Sequence, residues 1–496
     1  MWYTVYSLIV RKEPAASPNT KIMNRFAKNK SLWLSVAFVL WICPTVFGQV
    51  PPNPPPRPLL QPIVVQTDKT KQLPANVNPQ PAATPLITKT GSSSPVVVPR
   101  KTSFSALADV AIPGNSGILV ESMDGNIVLD SYSNYPFNPA SNVKTATAYA
   151  VLKTFGPDYR FPTSVWTDGQ IDAATGTLYG NVYFSGRDPM FNLEHGVAVA
   201  NELNRLGIRT IAGDLIVTDN FAMSFSTAAQ RSGSTLLTVM DSAKRSVAAT
   251  RAWQSYLVNS KKIGQGMTIP SVSTTGGVYV QALPTNAKLL FSHESAPMRE
   301  ILKVTLCYSN NFLSERLGDM LGGPYAVARI VQLNSQIAPE EFYIQTASGL
   351  GQNRVTPRAM MKLLRTLRNE LAKNKMTFAD IMPVAGIDKG TLEGRFDGDF
   401  ARGSVVGKTG TMANTDGGVS SLAGEIETRN GKLLFVIFNN RGGVPRFRAF
   451  QNSLVSLIQG QMGGAVPMAY NQIPLDVRLA STRITYPDTR ARINEE

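Results

Sequence analysis

The sequence predicts a mixed α/β protein of the α+β kind, in which an early hairpin and late strands build one sheet around a long insertion. Two observations carry this prediction. Residues 118–121 and 127–129 flank Asp124-Gly125, a short-range hairpin signal. Strand-like runs then follow closely near the end of the chain, at 404–412, 419–426 and 432–438, with Asn430-Gly431 marking a type I′ turn between the last pair. Residues 433–438 are continuously apolar, as in a central strand buried on both faces.

Composition narrows the function before any motif is read. With 496 residues, 43% apolar and 17% charged, the chain is globular in the main and long enough for more than one domain. Two cysteines and two histidines exclude a disulfide scaffold, a multi-cysteine zinc site and a His-rich metal centre. The net charge of +15 admits nucleic acid, anionic surfaces or a targeting segment. Residues 21–30 are basic, an apolar run spans 32–42, and Pro44 and Gly48 follow, which is the pattern of an export signal. Met23 is an alternative start, and the run is short for a membrane span. Residues 1–48 hold six Lys and Arg against one acid, so about a third of the surplus charge belongs to this leader. An uncleaved leader would serve as an anchor, leaving the protein exported to the cell envelope in either case.

The remaining segments read in order. Residues 49–103 form a proline-rich extended linker, with 13 of the 33 prolines between 49 and 100. After the hairpin, Pro139 precedes Ser141, and Val143, Ala146, Ala150 and Val151 share a helical face. The insertion, 165–290, opens with alternation over 177–184. It continues with a helix on Val199, Leu203 and Leu206, ended by Gly207, and a strand-like stretch over 208–217. Residues 220–290 are rich in Ser, Thr and Gly and define no element. Met298, Ile301, Leu302, Thr305 and Leu306 restore helical spacing. The halves of the outer domain are therefore 104–164 and 291–465, followed by a tail, 466–496.

Chemistry enters through motifs that occur in one order: Ser141-Asn-Val-Lys144 at a helix start, Ser309-Asn-Asn311 at a helix end or loop, and Lys408-Thr409-Gly410-Thr411 in a strand. Residues three apart on a helix share a face, so the Lys144 amine can reach the Ser141 hydroxyl. A serine needs an adjacent base to become a nucleophile, and an amine serves once desolvation or a neighbouring cation removes its proton. Lys408 is the candidate cation, and the backbone N–H groups of Ser141 and Thr411 are the candidate oxyanion donors. Lys408 and Thr409 would hold an anionic substrate terminus, while Ser309 and Asn311 would relay a proton and bind the substrate amide. Taken singly, Ser141 reads as a helix cap, Lys144 as a solvated residue, and Ser309 and Asn311 as caps. Their joint occurrence favours catalysis. His195 and His293 fit no catalytic triad and read as surface or structural residues, and Arg187-Asp188-Pro189 reads as a turn.

With these motifs in place, the sequence resembles the penicillin-binding protein 4 type of D-alanyl-D-alanine carboxypeptidase, peptidase family S13. The resemblance covers about 104–460 and includes Asn138-Pro-Ala-Ser141-Asn-Val-Lys144, Phe155-Gly-Pro-Asp-Tyr-Arg-Phe-Pro-Thr163 and Gly176-Thr-Leu-Tyr-Gly-Asn-Val-Tyr-Phe-Ser-Gly-Arg-Asp188-Pro189. It extends to Ser348-Gly-Leu350, Arg354-Val-Thr-Pro357, Pro383-Val-Ala-Gly386, Gly390-Thr-Leu392 and Gly407-Lys-Thr-Gly-Thr411. It implies a serine β-lactamase/DD-peptidase-like transpeptidase fold, an antiparallel sheet flanked by helices with a mainly β insert. It also implies a penicillin-binding serine carboxypeptidase acting on peptidoglycan stem peptides that end in D-Ala-D-Ala, with endopeptidase action on cross-links as a further activity. No metal, organic cofactor or nucleic acid is implied; the partners are the periplasmic cell wall, a membrane surface and β-lactams. A β-lactamase and a catalytically silent wall-binding scaffold are the rival readings. The chain departs from the family in two places: the 168-residue interval between Ser141 and Ser309 is short, implying a reduced insert, and Thr346 stands where the family has Asp.

Overall fold

The computed structural model describes residues 100–262, 268–398 and 400–487. The expected leader and nearly all of the proline-rich linker lie outside these residues. The central sheet has five strands, all antiparallel: β1 (Asn115–Ser122), β2 (Ile127–Ser131), β3 (Val405–Met412), β4 (Val419–Thr428) and β5 (Gly431–Asn440). Their order is β3-β4-β5-β1-β2, which joins the early hairpin to the late strands. β5 is the middle strand, and this explains its unbroken apolar run. Leu434, Val436 and Phe438 face one layer while Leu433, Phe435 and Ile437 face the other, as a period of two requires.

Helices occupy both layers. On one face, α1 (Val143–Phe155), α2 (Met298–Tyr308), α3 (Asn311–Asp319) and α4 (Pro357–Lys373) share a core with Leu119, Val406 and Ala423. On the other face, α5 (Val444–Gln461) packs Leu454, Val455 and Ile458 against Ile118, Val120 and Leu422. Both hairpins differ from the expected type I′ turn, which needs positive φ at its two central residues. Here Gly125 (φ +89°) and Gly431 (φ +109°) alone take that conformation, while Asp124 and Asn430 do not.

The insertion leaves along Pro162–Thr167 and returns along Lys288–Glu294, two strands paired antiparallel with Pro162 opposite Glu294. The strand-like stretches at 177–184 and 208–217 each break into two strands that join different sheets. Helices Leu193–Arg205, Ala229–Met240 and Val247–Asn259 cover the larger of these sheets. The last two lie in the stretch that reads as featureless from sequence. The tail is also folded, because Arg483–Thr485 adds an edge strand beside Lys288–Glu294. His195 and His293 are interior residues, 3% and 1% exposed, with ring centroids 4.8 Å apart, so the surface alternative fails. Burial holds both imidazoles below their usual pKa and hence neutral.

Candidate active site

The three motifs meet where α1, the α2–α3 junction and β3 converge. Ser141 sits in a 3₁₀ turn, Ala140–Asn142, just ahead of α1. Its hydroxyl caps nothing; it accepts a hydrogen bond from Lys144 Nζ at 2.9 Å. The same ammonium donates to Asn311 Oδ1 at 2.7 Å and to the Ser348 carbonyl at 2.6 Å. Lys144 is 1% exposed. Burial brings its pKa down to about 7, against an opposing pull from the Glu315 carboxylate. Desolvation, rather than the cation expected at Lys408, is therefore the leading cause.

The α2–α3 junction explains why Ser309 and Asn311 can both face this centre. Ser309 closes α2 in a left-handed conformation (φ +55°), and Asn310, not Asn311, caps α3 by accepting from Leu313 N at 3.1 Å. Asn311 is thereby released to hold Lys144. Lys408 Nζ donates to Ser309 Oγ at 2.8 Å and to the Thr409 carbonyl at 2.6 Å. Lys408 is 0% exposed, and burial followed by the charge of Lys144 lowers its pKa well below normal. The charge of Lys144 thus disfavours a proton on Lys408.

β3 is the sheet's edge strand, and among the described residues its backbone beyond Gly407 is paired only with β4. Cross-strand register puts Lys408 and Gly410 on the face of Ala423 and Ser421, towards Ser141, and Thr409 and Thr411 on the face of Leu422 and Ser420. Gly410 is required by close approach: a Cβ there would lie 2.5 Å from Pro139 O and 3.0 Å from Ser141 N.

Several residues of this site were not identified from sequence. Glu315, one helical turn beyond Asn311, accepts from Ser348 N at 2.9 Å and Ala347 N at 3.2 Å and so fixes the carbonyl that Lys144 uses. Its i+4 spacing from Asn311 was the available signal. Asn138 accepts from Ala140 N at 3.0 Å and donates to Asp416 at 2.7 Å, and Arg354 pairs with that same carboxylate at 2.9 Å. This cluster stabilises Ala140 at φ +46°, a costly conformation for a residue with a Cβ, next to the serine. Thr346 performs the local turn itself: its hydroxyl accepts from Gly349 N at 3.0 Å and donates to the Leu350 carbonyl at 2.9 Å.

A serine hydroxyl bonded to a buried amine near neutrality, beside an open strand edge, is an arrangement suited to acyl transfer through a serine ester. The chain belongs to the D-Ala-D-Ala carboxypeptidase 3 (S13) family, whose model matches residues 104–234 and 239–460. It is 25% identical over 461 residues to a D-alanyl-D-alanine carboxypeptidase of Actinomadura sp. (strain R39), covering 73% of this chain and 84% of that one. The fold is shared with a predatory peptidoglycan endopeptidase from Bdellovibrio bacteriovorus, at a TM-score of 0.63 and 22% identity, over 76% of this chain and all of the other. It is shared as well with penicillin-binding protein 4 of Haemophilus influenzae, at a TM-score of 0.52 and 21% identity, over 70% and 97% of the two chains.

Proposed function

We propose that the protein is a serine D-alanyl-D-alanine carboxypeptidase of the bacterial envelope, with Ser141 as nucleophile and Lys144 as its base. The observation that carries this is the Lys144 amine, buried, near neutrality and 2.9 Å from the Ser141 hydroxyl. Ser141 Oγ adds to the carbonyl carbon between the two terminal D-alanines, and its proton passes to Lys144 Nζ. The N–H groups of Ser141 and Thr411 hold the oxyanion. Asn311 keeps Lys144 aimed and contacts the substrate amide. Collapse of the adduct breaks the C–N bond, and D-alanine leaves after its nitrogen takes a proton through Ser309, which Lys408 polarises. Water then cleaves the acyl-enzyme ester and restores Ser141. Thr409, Gly410 and Thr411 line the strand along which the substrate terminus lies.

Cleavage of D-alanyl cross-links is a further activity of the same site, in keeping with the fold shared with an endopeptidase. The basic, apolar start of the sequence supports export to the periplasm, and no helix among the described residues is long and apolar enough to cross a membrane. The strained amide and carboxylate of a penicillin mimic the substrate, and the Bdellovibrio endopeptidase has a penicillin G-acylated form. A β-lactamase would need a free base to clear the ester. Here the Glu315 carboxylate, the acid that acts on Lys144, is committed to two backbone N–H groups. Incubation with penicillin G followed by mass spectrometry should therefore give a stable adduct on the Ser141 peptide. Rapid release of hydrolysed penicillin with no lasting adduct would instead assign a β-lactamase.

A further inference from the structure

An amine that takes a proton from Ser141 must aim its lone pair at that hydroxyl. Once neutral, Lys144 Nζ keeps two N–H groups. Asn311 Oδ1 at 2.7 Å and the Ser348 carbonyl at 2.6 Å can only accept, whereas the Ser141 hydroxyl at 2.9 Å can also donate. The two N–H groups therefore go to Asn311 and Ser348, and the lone pair is left facing Ser141. That aim is only as firm as the two acceptors. Asn311 rides on α3, but Ser348 lies in a turn, 346–350, outside any helix or strand. Three contacts pin this turn. Gly349 approaches Ala140 so closely that a Cβ would lie 2.1 Å from Ala140 O. Thr147, one turn beyond Lys144 on α1, donates to the Ala347 carbonyl at 2.7 Å. Glu315 accepts from Ala347 N and Ser348 N through its two separate oxygens. Asn311 and Glu315 are four apart on α3 and share a face. Gly318 continues that face, where a Cβ would lie 2.4 Å from Ala347 Cβ. One helix face thus supplies one acceptor of Lys144 directly and holds the other through a carboxylate.

The charged surroundings are simple. Residues 309–314, the turn 346–350 and the facing stretch of β4, 419–424, carry no titratable side chain. Tyr149 on α1 and Cys307 on α2 are pushed up to about 12 by burial and stay protonated. Arg316 is directed at the Asn220 carbonyl. Lys144, Lys408 and Glu315 remain, and the Glu315 carboxylate favours the charged form of Lys144 against the burial that lowers it. We propose that Glu315 is a positioning residue for acylation: its carboxylate grips the 347–348 backbone so that the Lys144 lone pair points at Ser141, and its charge sets how far into acid the enzyme works. This rests on the serine–lysine reading of the same site. Glu315 acts through the Ser348 carbonyl and carries no proton itself.

The test follows acylation by a chromogenic β-lactam from pH 5 to 9 for wild-type protein, Glu315→Gln and Glu315→Asp. Mass spectrometry of the Ser141 adduct and thermal unfolding report that each protein is folded. Glu315→Gln has one acceptor oxygen and no charge, so its plateau rate should fall about 3- to 10-fold. Loss of the counter-charge should also move the acid inflection down by about one pH unit. At pH 6 this variant would keep about half of its own plateau rate, against about a tenth for wild type. Glu315→Asp keeps the charge on a shorter arm, so its plateau should fall while its inflection stays with wild type. A Glu315→Gln variant with the wild-type inflection, or a Glu315→Asp variant with the wild-type plateau, would overturn the proposal and leave Lys144 as the base. Should the glutamine variant not fold, the plateau of the aspartate variant decides. Wild-type protein that is not acylated at all would instead remove the serine–lysine reading.

Discussion

Replacing Lys144 with methionine is expected to slow acylation of Ser141 about 10²- to 10⁴-fold, the usual contribution of a positioned general base. Methionine fills the buried volume without the amine, so the loss reports chemistry rather than packing. The pH dependence gives the prediction its sign. Burial lowers the Lys144 pKa to about 7, so below that pH the amine carries a proton and cannot take another from Ser141. Wild-type acylation should therefore fall about tenfold per pH unit below 7 and level off above it. Stopped-flow rates with a chromogenic β-lactam from pH 5 to 9 measure this directly. The Lys144→Met variant should lose the inflection along with the rate, and a variant that kept the wild-type inflection would show that another group is the base.

Asp388→Ala is expected to destabilise the fold by about 3–5 kcal/mol, because it strands a buried ammonium. Lys303 and Asp388 are 0% and 1% exposed and 2.6 Å apart. Lys303 also donates to the carbonyls of Ala379 and Met382, while Asp388 accepts from Val384 N and Tyr470 OH. The pair fastens α2, whose end presents Ser309, to the segment before β3 and to the tail. Arg478 adds a second tie from the tail to α2 through Glu300 at 2.7 Å. Asp388→Asn keeps hydrogen-bonding capacity and should cost less than the alanine. Urea unfolding of the three proteins decides this: an alanine variant within about 1 kcal/mol of wild type would contradict a holding role for the pair.

Much of this architecture could be read from residue order, because its determinants are local. A hydroxyl and an amine three residues apart at a helix start announce themselves, as does a six-residue apolar run in a middle strand. The long segment between the sheet's early and late strands was visible in outline as well, since that sheet takes strands from both ends of the chain. Its later helices were not, for an understandable reason. Ala229–Met240 packs Gly233 so tightly that a Cβ would lie 2.7 Å from Val278 Cγ1, so the small residues that suggest a loop are what its packing demands. Val247–Asn259 buries only Ala249, Trp253 and Tyr256, a narrow helical stripe within a polar stretch. The cluster of Asn138, Arg354 and Asp416 joins residues up to 278 positions apart, which no periodicity can reveal. The inward orientation of Lys408 also depended on strand register and burial, which a Lys-Thr-Gly triplet does not disclose.

The central claim is that Ser141, activated by Lys144, cleaves a terminal D-Ala-D-Ala bond. Release of free D-alanine from a purified peptidoglycan pentapeptide, followed for wild-type protein and Ser141→Ala, tests it most directly. The account predicts steady release by the wild type and none above background by the variant, with both proteins folded. No release by the wild type, or equal release by the two, would contradict it.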